Sequence, residues 1–285
     1  MVGSEWWGYK VRADVAAEYI SGSGIEIGAG ANPQLLPPGA SCLYFDKSNA
    51  AHLSEQFGAD IRYPVHHISE IRARFPDGAD FLIAHNVLEH IHGEIAALIE
   101  WHSYVRDGGV IVLSVPLRDH TNGDSRRLST PISHLIEDYV LKRGPASYEA
   151  REHSYSFCLG WDADEVARAW HYLDRKEFVN YVLDQAHFAD ADLHWHALNR
   201  PEWDFVIAAA AHFGERGVEL LRCAGPTTPD ISTQGEVIYI YRLGPAGRIK
   251  GFGDPVSHLE IMKDRYLRAL EILRIPTTPV TAPSI

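Results

Sequence analysis

Five residues, Gly24-Ile25-Glu26-Ile27-Gly28, read as a buried strand, and the chain continues through Ala29-Gly30-Ala31-Asn32-Pro33. Small residues at that place let the backbone turn closely beneath a ligand, and the carboxyl end of a first strand is the usual ligand fork of an open α/β sheet. A dinucleotide-binding loop would carry a third glycine for helix packing against a pyrophosphate. Here Pro33 stands there, and the carboxylate of Glu26 sits inside the strand end. That charge repels a pyrophosphate and attracts a cationic amino-acid group.

Strand and helix signals alternate around this loop. Residues 12–20 have helical spacing and are stopped by Ser21-Gly22-Ser23-Gly24. A second strand, 41–46, ends on Asp46; residues 49–58 have helix composition and stop at Gly58. A third, weaker strand is expected to start near Ala59, and a fourth spans 79–84. One helix is expected over 86–105, closed by Asp107-Gly108-Gly109, with a fifth strand at 110–116. Short apolar strands separated by helices predict an α/β chain with a doubly wound, mostly parallel sheet covered on both faces. The rhythm is lost from 117 to about 191, where His, Arg, Tyr and Trp are frequent and a mainly helical insertion is expected. It returns with a helix at 200–213 and strands near 217–223 and 235–242, close enough to form an antiparallel edge pair. The Pro- and Thr-rich end from 272 reads as extended.

Charge and cysteine content narrow the partners. With 26 basic and 38 acidic side chains the net charge is −12, which disfavours docking on a phosphodiester backbone, so no nucleic-acid partner is expected. Cys42, Cys158 and Cys223 lie far apart without a CxxC spacing, as reduced thiols of a cytoplasmic protein would. The first residues carry charges where a leader needs an apolar run, and no stretch of about eighteen apolar residues occurs, so no membrane partner is expected.

The segment EIGAGANP, 26–33, resembles motif I of class I (Rossmann-like) S-adenosylmethionine-dependent methyltransferases. DFLIAHNVLEHI, 80–91, resembles their fourth-strand segment, and VRDGGVIVLSVP, 105–116, their fifth. The resemblance implies S-adenosyl-L-methionine as cofactor. It places Glu26 at the methionine amino group or its water shell, and Gly28, Ala29 and Gly30 beneath the methionine part. Asp46, 16 residues beyond Gly30, takes the position of the acid that holds the ribose hydroxyls. A carboxylate suits that task because it accepts two O–H bonds at once. His85 and Asn86 follow the fourth strand and would flank the cofactor, with His85 also a catalytic candidate. The acid that would bind adenine has no clear equivalent beyond Asp60. The chain then divides into a cofactor-binding half at 1–116, a helical cap at 117–191, the rest of the Rossmann-like domain at 192–250, and a C-terminal helix and tail at 251–285.

Within the insertion, an Arg, a Thr-Pro, a His and an Asp four apart, a later His and an H-x-H pair resemble a bacterial subgroup that accompanies polysaccharide or natural-product genes. Arg127, Thr130, Pro131, His134, Asp138, His153, His194 and His196 carry that pattern. Thr130 capping a helix with Pro131 at its first position would put His134 and Asp138 on one face. His194 and His196, two apart in an extended segment, would point the same way. These residues read as buried polar contacts, as a general base or as a metal cluster, and no metal ligand set is assigned. The expected activity is methyl transfer to an oxygen or nitrogen of a small polar metabolite, a sugar or an amino-acid derivative, with a homodimer left open. The alternatives are a non-methylating use of the sulfonium, such as a cyclase releasing methylthioadenosine, and a non-catalytic cofactor-binding protein.

Overall fold

The apolar runs assemble into one eight-stranded sheet in the order β3-β2-β1-β4-β5-β7-β6-β8. The strands are β1 (Ser23–Ile27), β2 (Ser41–Asp46), β3 (Val65–His67), β4 (Ala79–His85), β5 (Val105–Pro116), β6 (Arg216–Ala224), β7 (Glu236–Pro245) and β8 (Ile249–Lys250). The computed structural model describes residues 7–121, 123–145, 147, 152–153, 156–157, 160, 176–177, 193–226 and 235–252. Among them the α-helices are α1 (Trp7–Ala16), α2 (Ala50–Phe57), α3 (Ile71–Arg74), α4 (Glu94–His102), α5 (Ile132–Leu141) and α6 (Arg200–Phe213). The expected C-terminal helix and tail, and most of 146–192, lie outside the described residues.

β1 to β5 pair in parallel, whereas β7 runs antiparallel to both β5 and β6. This is the mostly parallel doubly wound α/β sheet expected from the sequence. Phe81, Leu82, Ile83 and Ala84 of β4 are all fully buried, so both faces of the central strands are covered. One core cluster joins Phe81 and Ile83 to Val110, Val112, Ile238 and Ile240, with Ala16 and Ile20 against them. Because β1 is flanked by β2 on one side and β4 on the other, the order reverses there. Ligands of such sheets bind outside the carboxyl ends at that reversal, where the glycine loop begins.

Four expectations about the elements are corrected. β3 begins at Val65 rather than near Ala59. The helix expected over 86–105 is broken: a 3-10 turn at Leu88–His90 and Gly93 precede α4, which starts only at Glu94. β5 starts at Val105, so Asp107, Gly108 and Gly109 form an irregularity inside it, where pairing shifts between Ala79 and Phe81. The β6–β7 pair is not the sheet edge, because β8 adds beyond β6 in parallel.

The chain falls into two compact units. The first takes the described parts of Met1–Leu88, Leu98–Pro116 and Ala211–Gly251; the second takes those of Glu89–Ala97, Leu117–Ala210 and Phe252–Ile285. No helix among the described residues is long and apolar enough to cross a membrane.

Candidate functional site

In the first unit, the residue types at the end of β1 dictate a tight, closed loop. Gly28 and Gly30 both lie at left-handed φ, +67° and +54°. A side chain at Gly28 would place its Cβ 2.5 Å from Val87 Cγ2, and one at Gly30 would stand 3.1 Å from the Phe57 ring. Half-buried Ala29 separates them. Gly28 N donates to Phe45 O at 2.9 Å, and Tyr63 donates its hydroxyl to the Gly30 carbonyl. The loop returns onto its own strand, since Gln34 N donates to both carboxylate oxygens of Glu26, each at 3.0 Å. Glu26 is 1% exposed. Burial drives its pKa up to about 8, against the opposing pull of the Gln34 N–H and the Arg12 charge. Both oxygens of Glu26 close the loop, and its contact with a ligand's amino group or its water shell remains an expectation.

β4 delivers His85 and Asn86 to the same end of the sheet. His85 Nε2 stands 2.9 Å from Gln34 Oε1, which can only accept, so Nε2 carries the proton and Nδ1 accepts from Ser114 Oγ at 2.9 Å. Both nitrogens are thus engaged. Burial, then the Arg12 charge, holds its pKa well below the usual histidine range. His85 is thus a neutral group that positions Gln34. Asn86 has φ +52°, and its backbone N donates to Ser114 O at 3.0 Å. Its amide, oriented by two charged neighbours, accepts from Arg12 at 2.8 Å and donates to Glu236 at 3.3 Å. Arg12 and Glu236 form a buried two-pronged ion pair, with Nε to Oε1 at 3.1 Å. Sequence reasoning missed this pair, since 224 positions separate its members.

Asp46 ends β2 beside the loop, and its Oδ1 accepts from Ser48 N at 2.9 Å. Asp60 is not brought into this group. It is exposed on the segment before β3 and pairs with Arg62 at 3.1 Å. After β3 the chain enters a 3-10 turn that His67 caps, accepting from Ser69 N.

The second unit gathers histidines and carboxylates into two clusters. In the first, α5 puts His134 and Asp138 one turn apart, Nε2 to Oδ2 at 3.3 Å. His196 reaches Asp138 Oδ2 through Nε2 at 3.2 Å and Glu94 Oε1 through Nδ1 at 2.6 Å. His153 Nε2 lies 3.0 Å from His134 Nε2, and His92 Nε2 3.8 Å from Asp138 Oδ2. Burial alone would lower the pKa of His196, but Glu94 and Asp138 outweigh it and raise it to about 9. For Asp138, burial is likewise overcome by hydrogen bonds from His134 and His196, which hold it far below the ordinary carboxylate range. His153 has no comparable compensation: burial, then its charged neighbours, brings it down to about 2. His92 and Glu94 were not singled out from the sequence, because they fall in the stretch read as one continuous helix.

His194 belongs to the second cluster, which corrects the expectation that it points with His196. Its Nδ1 meets Asp124 Oδ2 at 2.6 Å, and Asp124 Oδ1 accepts from Arg127 at 2.7 Å. Arg127 also donates to the carbonyls of His194 and Trp195 and to Ser156 Oγ. The guanidinium thus ties residues 124–127 to the 193–196 segment. Thr130 does not cap α5; Pro131 holds the cap position, and Thr130 Oγ1 accepts from Ala197 N at 3.2 Å.

No family model and no curated protein matches the sequence. Solved structures with a similar course of the chain include an O-methyltransferase family 2 protein from Planctomyces limnophilus in complex with apigenin. It has 15% identity, a TM-score of 0.39, and coverage of 81% of this chain and 56% of that one. A second is a putative S-adenosylmethionine-dependent methyltransferase from Listeria monocytogenes, with 12% identity, a TM-score of 0.43, and coverage of 82% and 97%. A third is human N-acetylserotonin methyltransferase in complex with S-adenosylmethionine, with 12% identity, a TM-score of 0.40, and coverage of 83% and 51%. The chain spans about half the length of the first and the third.

Proposed function

We propose that the chain is an S-adenosyl-L-methionine-dependent methyltransferase acting on an oxygen or nitrogen of a small polar metabolite, a sugar or an amino-acid derivative, in the cytoplasm. The observation that carries the reading is the loop Gly28–Gly30 at the carboxyl end of β1. Its two left-handed glycines leave no room for a Cβ, and a buried acid closes it beside the strand that ends in Asp46. That cradle suits the cofactor's methionine part, with Asp46 accepting from a ribose diol.

When bound, the cofactor supplies an already activated methyl on a sulfonium. The chain's residues then have to align the acceptor in line with that methyl and exclude water. Gly28, Ala29 and Gly30 hold the backbone open, Glu26 and Gln34 fix the loop's return, and His85 keeps Gln34 in register. Asn86, held by Arg12 and Glu236, flanks the same strand end. A general base is needed for a hydroxyl or a protonated amine. His134, Asp138, His153, His194 and His196 remain proposed for that role.

Calorimetric titration with S-adenosylhomocysteine tests the cofactor. Incubation with labelled S-adenosylmethionine and pools of hydroxylated or amino metabolites tests the reaction. Saturable binding and acceptor-dependent release of S-adenosylhomocysteine are expected. Methylthioadenosine as the product would select non-methylating chemistry, and absence of binding would remove the reading.

A further inference from the structure

The first histidine cluster gathers four imidazoles around one buried carboxylate. Asp138 Oδ2 faces three imidazole nitrogens, those of His196, His134 and His92, at 3.2, 3.3 and 3.8 Å, while its Oδ1 takes Arg143 at 3.2 Å. Glu94 fixes the Nδ1 proton of His196, which turns the Nε2 lone pair of the neutral ring toward Asp138 Oδ2. Lone pair against lone pair at that distance is repulsive, so a positive centre belongs between them: either a second proton on His196, which its raised pKa allows, or a bound cation. His134 and His153 present Nε2 to Nε2 at 3.0 Å, a separation that either one shared N–H or one shared cation fills. The His92 side chain is wholly enclosed, and neither of its ring nitrogens has a hydrogen-bond partner.

We propose that His134, Asp138, His153 and His196 bind one divalent transition-metal cation of the zinc class through three imidazole Nε2 atoms and Asp138 Oδ2. These four atoms lie within 4.8 Å of one another. Ligands about 2.0–2.1 Å from a tetrahedral ion stand ~3.3 Å apart, close to the 3.0, 3.2 and 3.3 Å of the His134–His153, His196–Asp138 and His134–Asp138 pairs. Three imidazoles and one carboxylate are a donor set suited to zinc, cobalt or iron rather than to magnesium or calcium. Glu94 completes the arrangement as the carboxylate behind a ligating histidine, fixing its tautomer and raising its basicity. His92 Nε2 is the available fifth donor. The ion would join α5, His153, the 193–199 segment and the turn that carries His92, and so lock the second unit. A protonated His196 bridging Glu94 and Asp138 is the competing account.

The test uses the full chain, stripped with chelator and then equilibrated with zinc chloride. Expected are close to one zinc per chain by elemental analysis after gel filtration, a rise in melting temperature that chelator reverses, and a visible d–d absorption when cobalt(II) replaces zinc. Asp138→Asn and His196→Gln should abolish the cobalt band, and Glu94→Gln should weaken zinc affinity by about 10–100-fold. His194→Ala, in the other cluster, should leave stoichiometry unchanged. The cobalt spectrum of the unaltered protein guards against variants that fail to fold. A stripped chain that takes up less than about a tenth of an equivalent, with no melting shift and no cobalt band, overturns the site. So does metal binding that survives both Asp138→Asn and His196→Gln. These readouts involve no cofactor, so they stand or fall separately from the proposed methyl transfer.

Discussion

Replacing Glu26 by Gln probes the loop through pH. The carboxyl group is buried and its pKa is raised from 4.5 to about 8, chiefly by desolvation. Between those values the folded chain keeps a proton that the unfolded chain has released. The favourable contribution is complete below about pH 4.5, shrinks as the pH rises, and is gone once the folded pKa is passed. At 1.36 kcal/mol per unit, this amounts to about 1 kcal/mol of lost stability at pH 5, about 3 at pH 7 and about 4 at pH 8. Gln keeps an oxygen for the Gln34 N–H but cannot ionise, so the variant should be spared the loss. His196, with its pKa raised to about 9, gives a slope of the same sign above pH 6.5. Only the difference between variant and parent therefore isolates Glu26. Urea unfolding at several pH values should show Glu26→Gln gaining on the parent by about 3 kcal/mol from pH 5 to pH 8. Parallel stability curves for the two proteins over that range would refute the reasoning.

Asp46→Ala should weaken S-adenosylhomocysteine binding by about 1.5–3 kcal/mol, the value of hydrogen bonds to a charged acceptor, with an unchanged melting temperature; unaltered calorimetric affinity would remove Asp46 from the site. Gly28→Val meets Val87 at left-handed φ and should abolish binding, whereas Gly39→Ala, left-handed but with nothing within 4 Å of its Cβ, should cost only the backbone strain of about 1–2 kcal/mol. Equal effects of the two substitutions would show that no close packing surrounds the loop. Arg127→Leu strips Asp124 of its buried cation and should destabilise the chain by about 3–5 kcal/mol in chemical denaturation. A loss below 1 kcal/mol would mean that this guanidinium does not tie the segments together.

The sheet was readable where burial is continuous and hidden where it is not. β1, β4 and the later part of β5 are mostly apolar runs because they lie in the middle of the sheet, covered on both faces. β3 is Val65-His66-His67, three residues at the sheet edge, half-buried or exposed, and no periodicity can emerge from it. The first five residues of β5 contain Arg106, Asp107 and two glycines, a composition that signals a turn. Here it reflects an exposed irregularity, with Asp107 ion-paired to Arg216 from a strand more than a hundred positions away.

The candidate sites divide in the same way. The glycine loop and Asp46 are local consequences of a strand end, so sequence spacing locates them. What holds them in place is long-range: Gln34 with His85, and Arg12 with Glu236 and Asn86, are partners that only the fold brings together. In the histidine cluster, His134 and Asp138 were visible because α5 is regular and four residues make one turn. His194 and His196 misled because side-chain alternation belongs to a strand, and residues 193–199 form none. His92 and Glu94 were concealed by the assumption of one long helix. Gly93, at φ +91°, ends that assumption and lets both side chains turn toward Asp138 and His196. A single break in local regularity thus supplies both the enclosed fourth imidazole and the carboxylate that orients His196.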